Sequence, residues 1–167
     1  NVFNLFQERA LLAQGELLST KMFHLFLEEK GVQSALLPAL DFMRINRDEE
    51  PDMEYIRDHA EIEIKKRSGI NLFITQGYIC RNSYGEIDNL KRGGSDYTAS
   101  IVGNAVNASE IQIWTDIDGM HNNDPRVVDK TKPVAKLSFD EAAELAYFGA
   151  KILHPQSIRP AAQLGIP

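Results

Sequence analysis

An α/β fold with a mostly parallel sheet, helices on both of its sides, is what three features of this chain predict. Short apolar runs alternate with amphipathic helical stretches, the order of βαβ units. Asn71-Leu72-Phe73-Ile74-Thr75 reads as a strand covered on both faces. Gly93-Gly94 turns the chain straight into a helix opened by Ser95 and Asp96.

Taken in order, residues 2–14 mix Phe, Leu and Ala with Gln, Glu and Arg, a helix expected to end or break at Gly15. A second helix over residues 16–30 points Leu18, Met22, Leu25 and Leu27 inward and stops at Gly31. Residues 32–37 form a short apolar run, a strand closed by Pro38. Pro51 is placed in the first turn of a helix running to about Arg67, with Glu61 facing Lys65 and Glu63 facing Arg67 as a solvated face. Gln76-Gly77-Tyr78 leaves the end of the strand at 71–75, where open parallel sheets bind ligands. Residues 82–88 are polar, a hairpin or loop. The helix after Gly94 is expected to bury Ala99, Val102, Gly103 and Val106. Ile111-Gln112-Ile113-Trp114-Thr115 predicts another strand, and Asn122 to Arg126 a compact turn. Ser138 and Glu141 have the spacing of a capping box, opening a helix with Phe139, Ala142, Ala143 and Ala146 as its buried stripe.

Composition narrows the chemistry. Eighteen Lys and Arg against 24 Asp and Glu give a net charge of −6, which argues against a nucleic-acid surface. No apolar run approaches membrane-spanning length. With one cysteine, Cys80, an internal disulfide is impossible, and a reducing compartment, the cytoplasm, is the expected location. The four histidines have no close paired spacing, so no metal site is expected among the side chains.

Local positive charge in an acidic chain is then the informative signal. A glycine turn at a helix start gathers unpaired N–H groups that favour a phosphate or carboxylate, and Arg92 adds a planar fork just before it. By itself the same stretch reads as an ordinary loop-to-helix joint with a surface arginine. Glu16 taken alone reads as a complement to a helix dipole, and Lys151 as a dipole partner or a phosphate contact.

The motifs Ile74-Thr75-Gln76-Gly77-Tyr78, Arg92-Gly93-Gly94-Ser95-Asp96-Tyr97-Thr98-Ala99, Trp114-Thr115-Asp116-Ile117-Asp118-Gly119, Asp124-Pro125-Arg126 and Phe148-Gly149-Ala150-Lys151-Ile152-Leu153-His154-Pro155, with Gly15-Glu16-Leu17-Leu18-Ser19 before them, occur in an order and spacing that resemble the aspartokinases of the amino-acid kinase family. The resemblance implies a three-layer αβα sandwich and transfer of the γ-phosphate of ATP to the β-carboxylate of L-aspartate, the committed step toward lysine, threonine and methionine. It assigns Arg92 to the α-carboxylate of aspartate and Glu16 to its ammonium group, with Tyr78, Gly93, Gly94 and Ser95 lining the same pocket. It puts Thr115, Asp116, His121, Arg126 and Lys151 on the nucleotide, Arg126 and Lys151 beside the phosphates; His121 stands where the family commonly has a tyrosine. It makes Asp96 the residue that positions a catalytic lysine, and it implies Mg²⁺ arriving with ATP. The resemblance further implies that residues 1–167 are part of a kinase catalytic domain without its N-terminal phosphate-loop segment and C-terminal regulatory ACT domains, that the isolated chain is inactive, and that the parent enzyme is a homo-oligomer. Another substrate within the same family, or a non-catalytic role, are the alternatives.

Overall fold

Helix α1 (Leu5–Glu29) opens on a capping box in which Asn4 Oδ1 accepts from the Gln7 amide at 2.9 Å and Gln7 Oε1 accepts from the Asn4 amide at 3.1 Å. The computed structural model describes residues 3–91, 93–116, 118–124, 127–148 and 154–167. The break expected at Gly15 does not occur, and α1 is one helix of 25 residues. An interior glycine costs a helix about 1 kcal/mol, which is small against the cooperative bonding on either side of it. The inward face also differs from the expected one: Leu18 and Met22 are 59% and 69% exposed and Leu25 is exposed, while Leu27 alone of the four is half-buried. Ala13, Glu16, Leu17, Thr20 and His24 turn inward instead. Two polar contacts fix that rotation, an ion pair from Arg9 to Asp88 and a hydrogen bond between Thr20 and Gln76.

The chain divides between Ser95 and Asp96 into two units. In the first, β1 (Ala35–Leu37) pairs in parallel with β2 (Phe73–Thr75), Ala35 opposite Phe73 and Leu37 opposite Thr75. Two helices, α2 (Ala39–Phe42) and α3 (Met53–Lys65), make the connection, so the expected βαβ unit is present. Pro51 stands outside α3: Asp52 is the N-cap, its Oδ1 accepting from the Tyr55 amide at 3.2 Å, and Pro51 bridges to Ile45. An aspartate acceptor satisfies an orphan N–H that proline at N1 merely tolerates. Glu61 pairs with Lys65 in the open, but Glu63 is buried and held by Lys66 at 2.6 Å and Arg67 at 2.8 Å, so that face is only partly solvated. The polar stretch after Arg81 is the turn and second strand of an antiparallel hairpin, β3 (Ile79–Arg81) with β4 (Ile87–Asn89). Asn82 Oδ1 organises the turn by accepting from the amides of Tyr84 and Glu86. Phe42, Met43, Ile56, Gln76, Ile79 and Cys80 are the first unit's largest fully enclosed side chains among the described residues. Burial, with the Asp88 carboxylate nearby, pushes the Cys80 thiol up to about 12, so it is an inert core group.

The second unit holds most of α4 (Gly94–Ala105), α5 (Phe139–Phe148), a 3₁₀ turn (Pro155–Ile158) and α6 (Arg159–Leu164). Ser138 caps α5 as expected, its hydroxyl accepting from the Glu141 amide at 3.2 Å while Glu141 Oε2 accepts from the Ser138 amide at 2.8 Å, and Phe139, Ala142, Ala143 and Ala146 are half-buried. Helix α4 buries Gly103 but leaves Val106 exposed, and its innermost residues are Thr98, Ser100, Ile101 and Asn104. Two of these polar groups serve α6: Ser100 Oγ accepts from the Ala161 amide at 3.0 Å and Asn104 Nδ2 donates to the Pro160 carbonyl at 2.7 Å. The strand expected over 111–115 is absent; no described strand lies beside it, and Ile111 makes one backbone bond, to the Pro167 carbonyl at 2.9 Å. A strand is a pairing, and β-propensity without a partner does not make one. Among the described residues no helix is long and apolar enough to cross a membrane.

Ile111 packs on the bare backbone of Gly103, where a Cβ would stand 2.5 Å from Ile111 Cγ1 and closer still to Cδ1. Gly103→Ala is therefore expected to lose about 1–3 kcal/mol through overpacking, against the ~1 kcal/mol that alanine gains in a helix. Urea denaturation of the variant alone and with Ile111→Ala measures it; a Gly103→Ala protein more stable than the parent overturns this packing.

Candidate functional site

The end of β2 gathers five of the residues that the sequence singles out. Gly77 follows Gln76 there, and a Cβ on it would meet Ser95 Oγ at 3.0 Å and Ser95 Cα at 3.1 Å. A Cβ on Gly94 would stand 2.7 Å from Tyr78 Cδ2. The two turns therefore interlock through glycines, and each needs the other bare. Tyr78 is left-handed at φ 68°, bridged by the Ile79 amide donating to the Gly77 carbonyl at 2.7 Å, a γ-turn that is strained for a residue with a side chain. The Leu90 amide donates to the Tyr78 carbonyl at 2.8 Å, tying the hairpin's exit to the same point. Lys91 and Gly93 are also left-handed, at φ 60° and 70°, and the Gly94 amide closes on the Lys91 carbonyl at 3.2 Å. Tyr78, Gly93, Gly94 and Ser95 are thus brought together; Arg92 lies outside the described residues.

Glu16 sits mid-helix on the inward face of α1, half-buried, and its carboxylate has no hydrogen bond or ion pair among the described residues. A half-buried carboxylate without a cation partner is suited to a cationic ligand. Two residues that sequence reasoning did not single out hold this region. Gln76 is 1% exposed, accepts from the Ala39 amide at 2.8 Å, and donates to Thr20 Oγ1 at 2.7 Å. Their signal was available: a lone amide at the end of an apolar strand, and a threonine one turn after Glu16.

In the second unit, Asp96 lines an apolar cavity of about 150 Å³ with Ile111, Ile113, Phe139, Ile158 and Ile166. Burial raises its carboxyl above the ordinary value, and its side chain makes no hydrogen bond among the described residues. Thr115 Oγ1 donates to Asp116 Oδ1 at 3.0 Å, and both are exposed. His121 is turned away from such a role: its ring is buried, with Nδ1 2.8 Å from Thr131 Oγ1 and Nε2 2.6 Å from Asp118 Oδ1, so both nitrogens are occupied. That hydrogen bond and the imidazole's charge hold the Asp118 carboxyl below its usual range. Arg126 and Lys151 lie outside the described residues. Among the described residues no three His, Cys, Asp or Glu side chains gather as a metal site requires.

Because the folded carboxyl of Asp96 is raised, ionising it destabilises the fold, a cost that is absent below the unfolded value and complete above the folded one. Asp96→Asn is expected to melt higher than the parent at pH 7, with the difference vanishing toward pH ~3, below the free Asp value of ~3.9. Thermal melts of both proteins across that range check the sign; equal melting temperatures at pH 7 would refute it.

The family model for the amino acid kinase family matches residues 2–167. The chain is 41% identical over 160 residues to lysine-sensitive aspartokinase 3 of Escherichia coli strain K12, covering 94% of this chain and 36% of that protein. It is 37% identical over 163 residues to the chloroplastic aspartokinase 1 of Arabidopsis thaliana, 94% of this chain and 29% of that protein. It also superposes on the crystal structure of E. coli aspartokinase III in complex with aspartate and ADP, R-state, with a TM-score of 0.88 and 40% identity over 95% of this chain and 36% of that one. The chain thus spans about a third of the length of the relatives it matches. The fold of the solved structure, the matched family model and the interlocked glycine turns agree, and the chain belongs to the amino acid kinase family.

Proposed function

We propose that the protein carrying this chain is an aspartate kinase. It moves the γ-phosphoryl group of ATP to the β-carboxylate of L-aspartate, giving 4-phospho-L-aspartate and ADP. The observation that carries the reading is the close superposition on a solved aspartokinase holding aspartate and ADP. A β-carboxylate oxygen attacks the γ-phosphorus, the bond from that phosphorus to the β–γ bridging oxygen breaks, and the electron pair leaves on ADP. No base is needed, since a carboxyl with a reference pKa near ~3.9 is already ionised at neutral pH.

In this reading the Glu16 carboxylate takes the substrate ammonium and Arg92 the α-carboxylate, while Gly93, Gly94, Ser95 and Tyr78 shape the pocket. An acid and a fixed cation together select an amino acid and leave its β-carboxylate free. Thr115 and Asp116 serve the nucleotide, and Arg126 and Lys151 its phosphates. His121 supports the loop from within, because its nitrogens are bound to Thr131 and Asp118. Asp96 orients a lysine from the remainder of the catalytic domain, which we expect to carry the phosphate loop, with ACT domains and a homo-oligomer in the complete enzyme. Mg²⁺ would come on the phosphates of ATP and would supply charge neutralisation there.

Coupled ADP release tests the reading, with aspartate, glutamate and carbamate compared on the complete protein and on the 167-residue chain. The complete protein is expected to turn over with aspartate alone of the three. The isolated chain is expected to fall by at least roughly 10²-fold, the loss typical of even one missing preorganised donor. Arg92→Lys in the complete protein should raise the aspartate KM roughly 10- to 150-fold and leave the ATP KM nearly unchanged, because lysine keeps the charge and loses the fork. Turnover with glutamate and none with aspartate overturns the assignment.

A further inference from the structure

Three segments of the first unit meet at one side chain. Gln76 Oε1 accepts from the Ala39 amide at 2.8 Å, at the start of α2, where the N-cap Pro38 offers no side-chain cap. Gln76 Nε2 donates to Thr20 Oγ1 at 2.7 Å, and Thr20 Oγ1 donates in turn to the Glu16 carbonyl at 2.7 Å. The directions are mutually required. A hydroxyl whose proton is committed to a carbonyl has lone pairs left for the amide N–H, and a flipped amide would set NH₂ against the Ala39 N–H. The turn of α1 that carries Glu16 is thereby referred to the end of β2. The residue after Gln76, Gly77, is the one packed against Ser95.

We propose that Gln76 and Thr20 are positioning residues, a buried relay that holds the Glu16 turn of α1 against the end of β2 and so sets Glu16 for the ammonium group of the substrate. This rests on the aspartate-kinase reading of Glu16. The polar side chains of the relay are committed to the fold, so they act through Glu16 and not by touching substrate. A relay of neutral hydrogen bonds serves here because it places a helix without adding a charge that would compete for the ammonium.

The test is a double-mutant cycle in the complete protein, with Thr20→Val, Glu16→Gln and the pair, and with Thr20→Ser as the conservative variant. Thr20→Val keeps the shape and removes both hydrogen bonds. It is expected to raise the aspartate KM roughly 3- to 10-fold, the size of one or two lost neutral hydrogen bonds, with the ATP KM unchanged. Thr20→Ser should restore the parent value. In the Glu16→Gln background, Thr20→Val should add nothing further, since the group it positions is gone. Should Thr20→Val not fold, Thr20→Ala carries the same expectation. A full multiplication of the two effects, or a loss shared equally by aspartate and ATP, overturns the relay and leaves the two residues as scaffold. No change in aspartate KM on Glu16→Gln overturns the reading of Glu16 itself, and the relay falls with it.

Discussion

A buried primary amide must satisfy its oxygen and its nitrogen together, because leaving either unmet costs more than a single hydrogen bond returns. Gln76 meets this demand with groups from α1 and α2. Its position allows no looser solution, since the side chain is enclosed and the β2 backbone that it directly follows is fixed by pairing with β1. The rotation of α1 follows. With Thr20 committed to Gln76 and Arg9 to Asp88, one face of a 25-residue helix is determined at two points eleven residues apart, about three turns. Leu18, Met22 and Leu25 are then left outward, although a count of apolar residues favours them for the core. Polar registration has overruled hydrophobic periodicity here.

The same competition explains what the sequence discloses and what it hides. The βαβ unit, the hairpin, the capping box at Ser138 and the contact of the glycine turn with the strand end are legible because local rules and tertiary packing agree at those places. The continuity of α1 is not legible, since a glycine in mid-helix is a small local cost whose tolerance depends on distant packing. Residues 111–115 have the composition of a strand, but a strand also needs a neighbour, and composition cannot supply one. In α4 the apolar count selects Val106, whereas the structure buries Ser100 and Asn104 because α6 presents an amide and a carbonyl that need partners.

The candidate residues divide along similar lines. Gly93 and Gly94 are recognisable from sequence because the turn needs bare backbone, and the structure brings them together with Ser95 and Tyr78. His121 reads as a contact only while its surroundings are unknown; hydrogen bonds with Asp118 and Thr131 make it part of the loop's interior. Gln76 stands inside a motif and Thr20 outside one, yet neither shows its partner there, because the two are 56 residues apart.

Strain marks the turn at the end of β2 as more than a connection. Tyr78 and Lys91 both adopt left-handed backbone with full side chains, a cost of about 1 kcal/mol or more each, where glycine would relieve it. Each is held by hydrogen bonds across the turn, from Leu90 to the Tyr78 carbonyl and from Gly94 to the Lys91 carbonyl. The strain therefore purchases position: the Tyr78 ring lies over the bare backbone of Gly94, and Gly77 lies against Ser95, at the point where α4 begins. Phosphoryl transfer asks little covalent chemistry of a protein and much exactness of placement. A turn kept in place by strained residues, interlocked glycines and a buried amide one residue away meets that requirement with backbone alone, leaving the nearby side chains to choose the substrate.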